Sequence, residues 1–501
     1  MFPCAAGVAR GVLSDRGMTL RSSLALLLLG AAPAAAQPAP KPPATKAPAP
    51  RPAAPAPKPA TPASAAADDL AAFDRDLDAL FSRGGLTAEQ AASRAGAQSP
   101  TVRHRIAEVE AAIAQADATA LAQVPQLTGK LSYNRLSHID GTLAIPGVGS
   151  FVISSVDNQY LAEAQLVVPL SDYVWRFPKL IKTAKLGAES ARLNEKASDV
   201  GAGQDARLAY YEWLRANLQV LISKRQLVQV QKTLEQVRAL AEVQRLSRAD
   251  LLRVESQEAE AEQVLDQLST LAQLREEQLR LLIGAPTNEP LAIGEDIRGE
   301  VAGNGTGALD DLVAKAKQQR LEFKAIETGI EAKESQLASE KANLWPRLSG
   351  VGLVDYADPN QRVFPQEDKF KLTWAIGAQL TWTLNDALVE RTTERRIAAE
   401  ANELRADHEN LERGTRIEVL SAQQAVSIAQ HALTTSQKGL TAAEEAYRVR
   451  KELLNADRAT AVELVDAETE LTRSRIAALN ARVDLRLARV QLDHALGNDT
   501  K

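Results

Sequence analysis

The stretch FKLTWAIGAQLTWTLND, residues 370–386, decides how the rest of the chain is read. Phe370, Leu372, Trp374, Ile376, Ala378, Leu380, Trp382 and Leu384 recur at every second position, with Lys371, Thr373, Gln379, Thr381 and Thr383 between them. Period two is the period of a β-strand, whose side chains alternate between two faces. From Asn385 onward the apolar residues recur at helical spacing almost to the end of the chain, so this segment joins a strand to a very long helix. The edge of a globular sheet shows such alternation. So does a membrane-spanning strand, apolar toward lipid and polar toward a lumen.

Composition favours long helices: only 4% of the 501 residues are aromatic, and Ala, Leu, Glu, Gln and Arg dominate long stretches. Twelve of the twenty Phe, Trp and Tyr residues lie in residues 126–178 and 345–384, the same windows that alternate. Aromatic residues concentrate in this way at bilayer interfaces. The net charge of −5, with both signs interspersed, gives no basis for nucleic-acid binding.

Upstream, Met18, Arg21, the apolar run Leu24–Leu29 and Ala34-Ala35-Ala36 have the form of an export signal, too short to span a membrane as a helix. Residues 1–36 are therefore expected to be leader and signal peptide, with translation starting at Met18. The single cysteine, Cys4, precedes the apolar run, whereas a lipidated cysteine would follow it, so no lipid anchor is expected. Residues 37–67 are rich in Pro and Ala with scattered Lys and Arg and can bury no core, as in a semi-rigid linker.

Folded sequence begins near Asp68. A helix is expected from Thr87 to Gln123, then two strands around Leu127–Asn134 and Tyr160–Leu170, joined by the exposed loop HIDGTLAIPGVGS. Ser171 and Asp172 open a helix running to about Val243, a rod of roughly 100 Å at ~1.5 Å per residue. Leu227, Val230, Leu234, Val237 and Ala241 give it coiled-coil spacing. A polar break at 245–250 precedes a return helix to Ile283, which Gly284, Pro286 and Pro290 end. Residues 284–307 read as an irregular connector, and their GNGTG lacks the strand and Gly-Lys-Ser/Thr of a phosphate loop.

Beyond the connector the order starts again: a helix to Leu344, a strand at Arg347–Tyr356, a loop, the 370–386 strand, a long helix to Leu454 and a return helix to Leu496. VPQLTG at 124–129 matches WPRLSG at 345–350, AQLVVPLSD at 164–172 matches AQLTWTLND at 378–386, and LLIG at 281–284 matches HALG at 494–497. The chain is thus a duplicated unit of helix, two strands, long helix and return helix, in residues 68–283 and 308–497. The last helix carries two opposed stripes, one through Leu464, Leu471, Leu485 and Leu492 and one through Ile476, Leu479, Val483 and Val490, and so has a neighbour on each side. Four strands cannot close a barrel, and open edges in lipid leave backbone groups unpaired, so the chain must oligomerise. A dimer would supply eight strands, a barrel filled by its own side chains, and a trimer twelve, which can leave a lumen.

This arrangement resembles the TolC-like outer-membrane efflux proteins from about Thr87 to Gly497. The resemblance rests on the duplicated order, the Pro-x-Leu start of each first strand, the passages PLSD and TLND, and VELVDAETEL at 462–471. It implies a mainly α fold with membrane β: a homotrimer with a twelve-stranded barrel in the outer membrane of a Gram-negative bacterium, joined to a long α-helical barrel in the periplasm. It also implies a periplasmic adaptor (membrane fusion) protein and an inner-membrane transporter as partners in efflux or type I secretion. Tyr133, Tyr160, Phe370, Trp374 and Trp382 would then face outer-membrane lipid.

Carried over to this sequence, Glu463 and Asp466 match the family's acidic constriction at the periplasmic entrance. Their i, i+3 spacing puts both on one helix face, and three copies make a ring of six carboxylates that attracts cations. The same pair is also what a solvated face of a long helix carries. Arg253 stands where an acidic residue is expected, and Arg458 lies one place off the alignment, so Arg253, Asp250 and Arg458 are candidate gate partners. The tips, Arg245, Leu246, Ser247, Asn455 and Asp457, are candidates for adaptor contact. No enzyme chemistry is expected: His104, His138, His408, His431 and His494 lack metal-ligand spacing, and no nucleophile elbow or dinucleotide fingerprint occurs. Neither cofactor nor metal is therefore called for. The rival reading is a secreted coiled-coil structural or adaptor protein of the periplasm, which explains the long hairpins but not the apolar strand faces.

Overall fold

The computed structural model describes residues 75–500 apart from 139, 148, 155, 245, 300–306, 365, 384 and 457. The expectations for the leader, Cys4 and the Pro/Ala-rich stretch lie outside the described residues, as does Leu384.

Two helical rods run through the molecule. The first, α4 (Phe177–Glu242), has 66 residues, and the second, α8 (Asp386–Asn455), has 70, so each is roughly 100 Å long. Each folds back into a shorter helix, α5 (Arg248–Ile283) after α4 and α9 (Ala461–Ala495) after α8. Both return helices end beside a glycine in the left-handed region, Gly284 at φ 64° and Gly497 at φ 71°, where a Cβ would be strained. These are the matching glycines of LLIG and HALG.

The opposed stripes of α9 pack as expected. Leu485, Ala488 and Leu492 meet Val419, Ala422 and Val426 of α8, while Leu479 and Val483 meet Trp213, Leu214 and Leu218 of α4. Burying a Leu or Val side chain contributes roughly 1.5–3 kcal/mol, so these seams hold the two halves together.

Several long elements are interrupted where one was expected. The helix expected over 87–123 is two, α1 (Ala88–Gln98) and α2 (Pro100–Leu121), because Pro100 disfavours helical geometry at Ser99, which sits at φ −59°, ψ 126°. Thr87 does cap α1, its side chain accepting from Gln90 N while Gln90 reciprocates. The helix at Ser171 begins as the short α3 (Leu170–Trp175) and restarts at Phe177, with Pro178 in the first turn. The helix before Leu344 is likewise split into α6 (Leu309–Gln319), α7 (Leu321–Glu340) and a 3-10 turn at Lys341–Leu344.

The sheet contains β2 (Gln126–Arg135), β5 (Asn158–Val168), β6 (Arg347–Asp358) and β7 (Lys371–Thr381), antiparallel and in that order, with β2 and β7 as free edges. The opening stretch thus keeps strand form only to Thr381, and Trp382 lies beyond the strand. Register aligns one face across all four strands: Leu131 opposes Ala162, Ala162 opposes Tyr356, and Tyr356 opposes Leu372. Leu131, Trp374, Ile376 and Leu380 on this face are all exposed, Ile376 at 82%. At one end of the face Tyr133 meets Tyr160 with ring centroids 5.0 Å apart, and Phe370 meets Tyr160 at 5.9 Å and Tyr356 at 5.1 Å. The other face carries Lys130, Ser132, Glu163, Gln165, Thr373 and Gln379.

The loop between β2 and β5 is not plain coil. It contains a second, two-stranded sheet, β3 (Asp140–Ile145) with β4 (Gly149–Ser154). The connector is also more ordered than expected. Residues 75–80 are helical and lead into β1 (Phe81–Leu86), which docks on the connector. Leu86 N donates to Ala292 O at 2.7 Å, and Gly294 N donates to Leu86 O at 2.9 Å. Arg486 of α9 reaches in from the other side, bonding Glu295 Oε1 at 3.3 Å and Asp296 O at 3.1 Å, and Tyr211 of α4 donates to Glu295 Oε1 at 2.9 Å. Burial, with Glu295 beside it, pushes the Tyr211 hydroxyl well above its ordinary range.

Candidate gate at the helix tips

The two hairpins end in matching turns. Ser247 caps α5 and Thr460 caps α9, each accepting from the backbone three residues on, Asp250 N at 3.2 Å and Glu463 N at 3.2 Å. Asp250 and Glu463 reciprocate to the cap backbone, which completes a capping box at each tip. Such a cap is worth about 1 kcal/mol. Asp250 is thereby occupied with its own helix start, bonding the Ser247 hydroxyl at 2.7 Å, and does not reach across to Glu463 or Asp466.

Glu463 also pairs with Arg450 of α8, Nη1 to Oε2 at 3.1 Å. Arg450 is the residue that sequence reasoning missed, having named Arg458. The Arg458 backbone N donates to Leu453 O at 2.8 Å, and its side chain meets no carboxylate among the described residues. The signal for Arg450 was its distance from the turn: an antiparallel hairpin pairs residues about equally far from its bend. Across the hairpins, Arg253 Nη2 lies 3.5 Å from Asp466 Oδ1, with side chains 56% and 60% exposed.

Of the expected tip residues, Arg245 and Asp457 lie outside the described residues. Asn455 is the last residue of α8. Leu246 is half-buried against Leu234, Val237, Val254, Ala461 and Val465, so it contributes packing between the hairpins. One turn further along α9, Glu468 is 3% exposed and accepts from Thr233 Oγ1 at 3.0 Å and Gln229 Nε2 at 3.2 Å. Four residues after Leu464 and three before Leu471, it occupies a seam position, which is how the sequence could have shown it.

Among the described residues no helix is long and apolar enough to cross a membrane, and no group of three or more His, Cys, Asp or Glu is placed to hold a metal ion. A family model described as outer membrane efflux protein matches residues 91–285 and 312–498, one match in each half of the duplicated chain. The chain belongs to the outer membrane efflux protein family.

Among solved structures, this efflux protein superposes on the outer-membrane channel OprN with a TM-score of 0.66 at 19% identity, covering 83% of this chain and 94% of that one. Against CusC the TM-score is 0.69 at 15% identity, covering 83% and 93%. Against the open state of the Neisseria gonorrhoeae MtrE channel it is 0.68 at 18% identity, covering 83% and 89%. These likenesses show the shared fold. A direct comparison with curated protein sequences finds no match. As an outer membrane efflux protein the chain is a passive channel of the Gram-negative outer membrane and not an enzyme, which replaces the reading as a secreted coiled-coil scaffold.

Proposed function

We propose that three copies of this chain form the exit duct of a tripartite efflux or type I secretion system, fed by an inner-membrane transporter through a periplasmic adaptor. The observation that carries this reading is the sheet. It has one exposed face that is apolar from Leu127 to Tyr133 and from Leu372 to Leu380 and two free edges, and it is continuous with helices of roughly 100 Å that are tied to each other by the opposed seams of α9. Three such sheets give twelve strands, enough to close a barrel around a lumen, with Tyr133, Tyr160, Phe370 and Trp374 toward lipid and Trp382 at the lower rim. The helices then extend into the periplasm and end at the tips, where the exposed residues around Ser247 and Asn455 meet the adaptor.

In this reading residues 1–36 are the removed leader, 37–67 a linker, 68–283 and 308–497 the two repeats, and 284–307 the belt between them. Glu463 and Asp466 from three copies make the constriction, held closed by Arg450 and Arg253. The gate needs no chemistry of its own, since breaking exposed ion pairs costs little once the tips are pulled apart.

Two measurements test this. The protein should fractionate with outer membranes as a heat-modifiable trimer, and a soluble periplasmic monomer would refute the duct. Glu463→Ala with Asp466→Ala should raise single-channel conductance and lower cation selectivity, and unchanged values would remove these carboxylates from the gate.

A further inference from the structure

The loop that joins β6 to β7, residues 359–370, begins by doubling back over the polar face of the sheet. Val363 N donates to Asn360 O at 3.1 Å and Arg362 N donates to Asn360 Oδ1 at 2.9 Å, which closes residues 360–363 into a tight turn. Asn360 is 3% exposed, and its side-chain nitrogen donates to Lys371 O at 3.0 Å and to Thr373 Oγ1 at 3.2 Å. Arg362 Nη1 donates to Trp374 O at 2.9 Å, and its Nη2 lies 3.9 Å from Asp355 Oδ2. Asp355 and Thr373 oppose each other on the polar face. A buried Asn with both its oxygen and its nitrogen bonded fixes the turn on that face.

The turn lies at the end of the sheet away from the helices, since α8 follows the other end of β7 and the 3-10 turn precedes the other end of β6. Beside it runs a row of charges: Lys130 opposes Glu163, Glu163 opposes Asp355, and Asp355 opposes Thr373. At ~4.8 Å between strands, Glu163 and Asp355 are like charges on adjacent strands, an arrangement that destabilises a sheet. Lys130 flanks the pair on one side. Arg362 supplies the second positive charge from the turn, its side chain 44% exposed over an Asp355 side chain 16% exposed.

We propose that this turn is a fixed eyelet inside the outer end of the duct, and that Arg362 sets its charge selectivity by neutralising the Glu163–Asp355 pair. This rests on the trimeric duct proposed above, in which the apolar face meets lipid and the polar face lines the lumen. Twelve strands spaced ~4.8 Å and tilted about 40° enclose a radius of roughly 12 Å, and a backbone layer packed on a sheet face stands at most about 10 Å from it. Three such turns therefore occupy much of the bore. With Arg362 in place the eyelet sorts solutes by size and admits either sign of charge. Without it, three uncompensated carboxylate pairs face the lumen and favour cations.

The test uses full-length protein in outer membranes with Cys4→Ser and Gln379→Cys, which puts one thiol on the polar face of β7, nearer the helices than the turn. Small cationic and anionic methanethiosulfonates and a bulky hydrophilic maleimide are added outside the cells. Asn360→Ala with Arg362→Ala frees the turn and should speed labelling by the bulky maleimide roughly tenfold. Arg362→Gln should raise the ratio of cationic to anionic labelling rates about fivefold, Arg362→Lys should keep the parent ratio, and Glu163→Gln should lower it. If the double variant yields no trimer, the Arg362→Gln ratio decides alone. A normal trimer in which neither change alters the rates overturns the eyelet and leaves the duct standing. A ratio that Arg362→Lys shifts as far as Arg362→Gln overturns charge neutralisation. A thiol that none of the reagents reaches, or absence of any trimer on native electrophoresis of the same membranes, overturns the duct and the eyelet with it.

Discussion

Arg253 and Asp466 stand at matching positions of the two hairpins, one basic and one acidic, and pair with each other at 3.5 Å. Each lies three residues beyond its capping-box acid, so the duplication has placed opposite charges on its own two copies. Arg253→Glu sets two carboxylates against each other and should raise single-channel conductance by roughly threefold or more, because like charges drive the tips apart. Thermal stability should change by less than ~1 kcal/mol, since both side chains are exposed. Arg253→Glu combined with Asp466→Arg should restore the original conductance. A single variant conducting like the parent would show that this pair does not hold the tips.

The belt depends on close backbone approach. A Cβ at Gly294 would lie 2.2 Å from Gly85 O and 2.6 Å from Gly85 C, so the two strands must separate to admit it. Gly294→Ala should cost roughly 1–3 kcal/mol through overpacking. Gly187→Ala, in α4 with nothing within 4 Å of the new Cβ, should instead stabilise by about 1 kcal/mol through helix propensity. Thermal unfolding followed by the helical signal separates the two outcomes.

The two faces of β7 should respond oppositely to charge. Ile376→Lys, on the exposed apolar face, should cut the yield of inserted protein, consistent with a cost of about 2–4 kcal/mol for a cation at mid-membrane. Gln379→Lys should insert normally and shift ion selectivity toward anions. Quantified outer-membrane yield and reversal potentials check both.

Below the sheet, burial and the facing Glu340 push the Glu390 carboxyl above its ordinary range, against the pull of Arg347 and Arg176. The folded state then holds this proton more tightly than the unfolded state. Its contribution to stability is present at low pH and is lost as pH rises from the ordinary carboxylate range through the raised value. The Tm of Glu390→Gln should therefore fall less than that of the parent between about pH 4 and pH 7. Parallel pH profiles for the two proteins would rule out this linkage.

The large features were legible in the sequence because each repeats a period over many residues. Strand alternation, the two seams of α9, the terminal glycines and the duplication all came from spacing alone. What escaped depends on contacts distant in the chain. FSRGGL, with two glycines, has little strand preference and becomes β1 only by docking on Ala292 and Gly294. The Gly/Pro-rich stretch after His138 read as loop because its turn glycines masked two short alternating runs, which pair as β3 and β4. At the tips, Arg253 was among the candidate partners and does pair with Asp466, whereas Arg450, the partner of Glu463, was missed. The choice of Arg450 over Arg458 follows from where the hairpin bends, since Arg450 and Glu463 lie about equally far from the turn.

The free edges of β2 and β7 offer the same amide and carbonyl groups whatever side chains the strands carry. In the trimer proposed above, a second duct of this kind in the same cell would offer edges that this backbone has no means of refusing. Telling self from kin falls to the helices, whose seams are made of particular side chains. In the proposed assembly the side chains on the outward faces of α4 and α8, more than those of the strands, would have to keep two such rings from mixing.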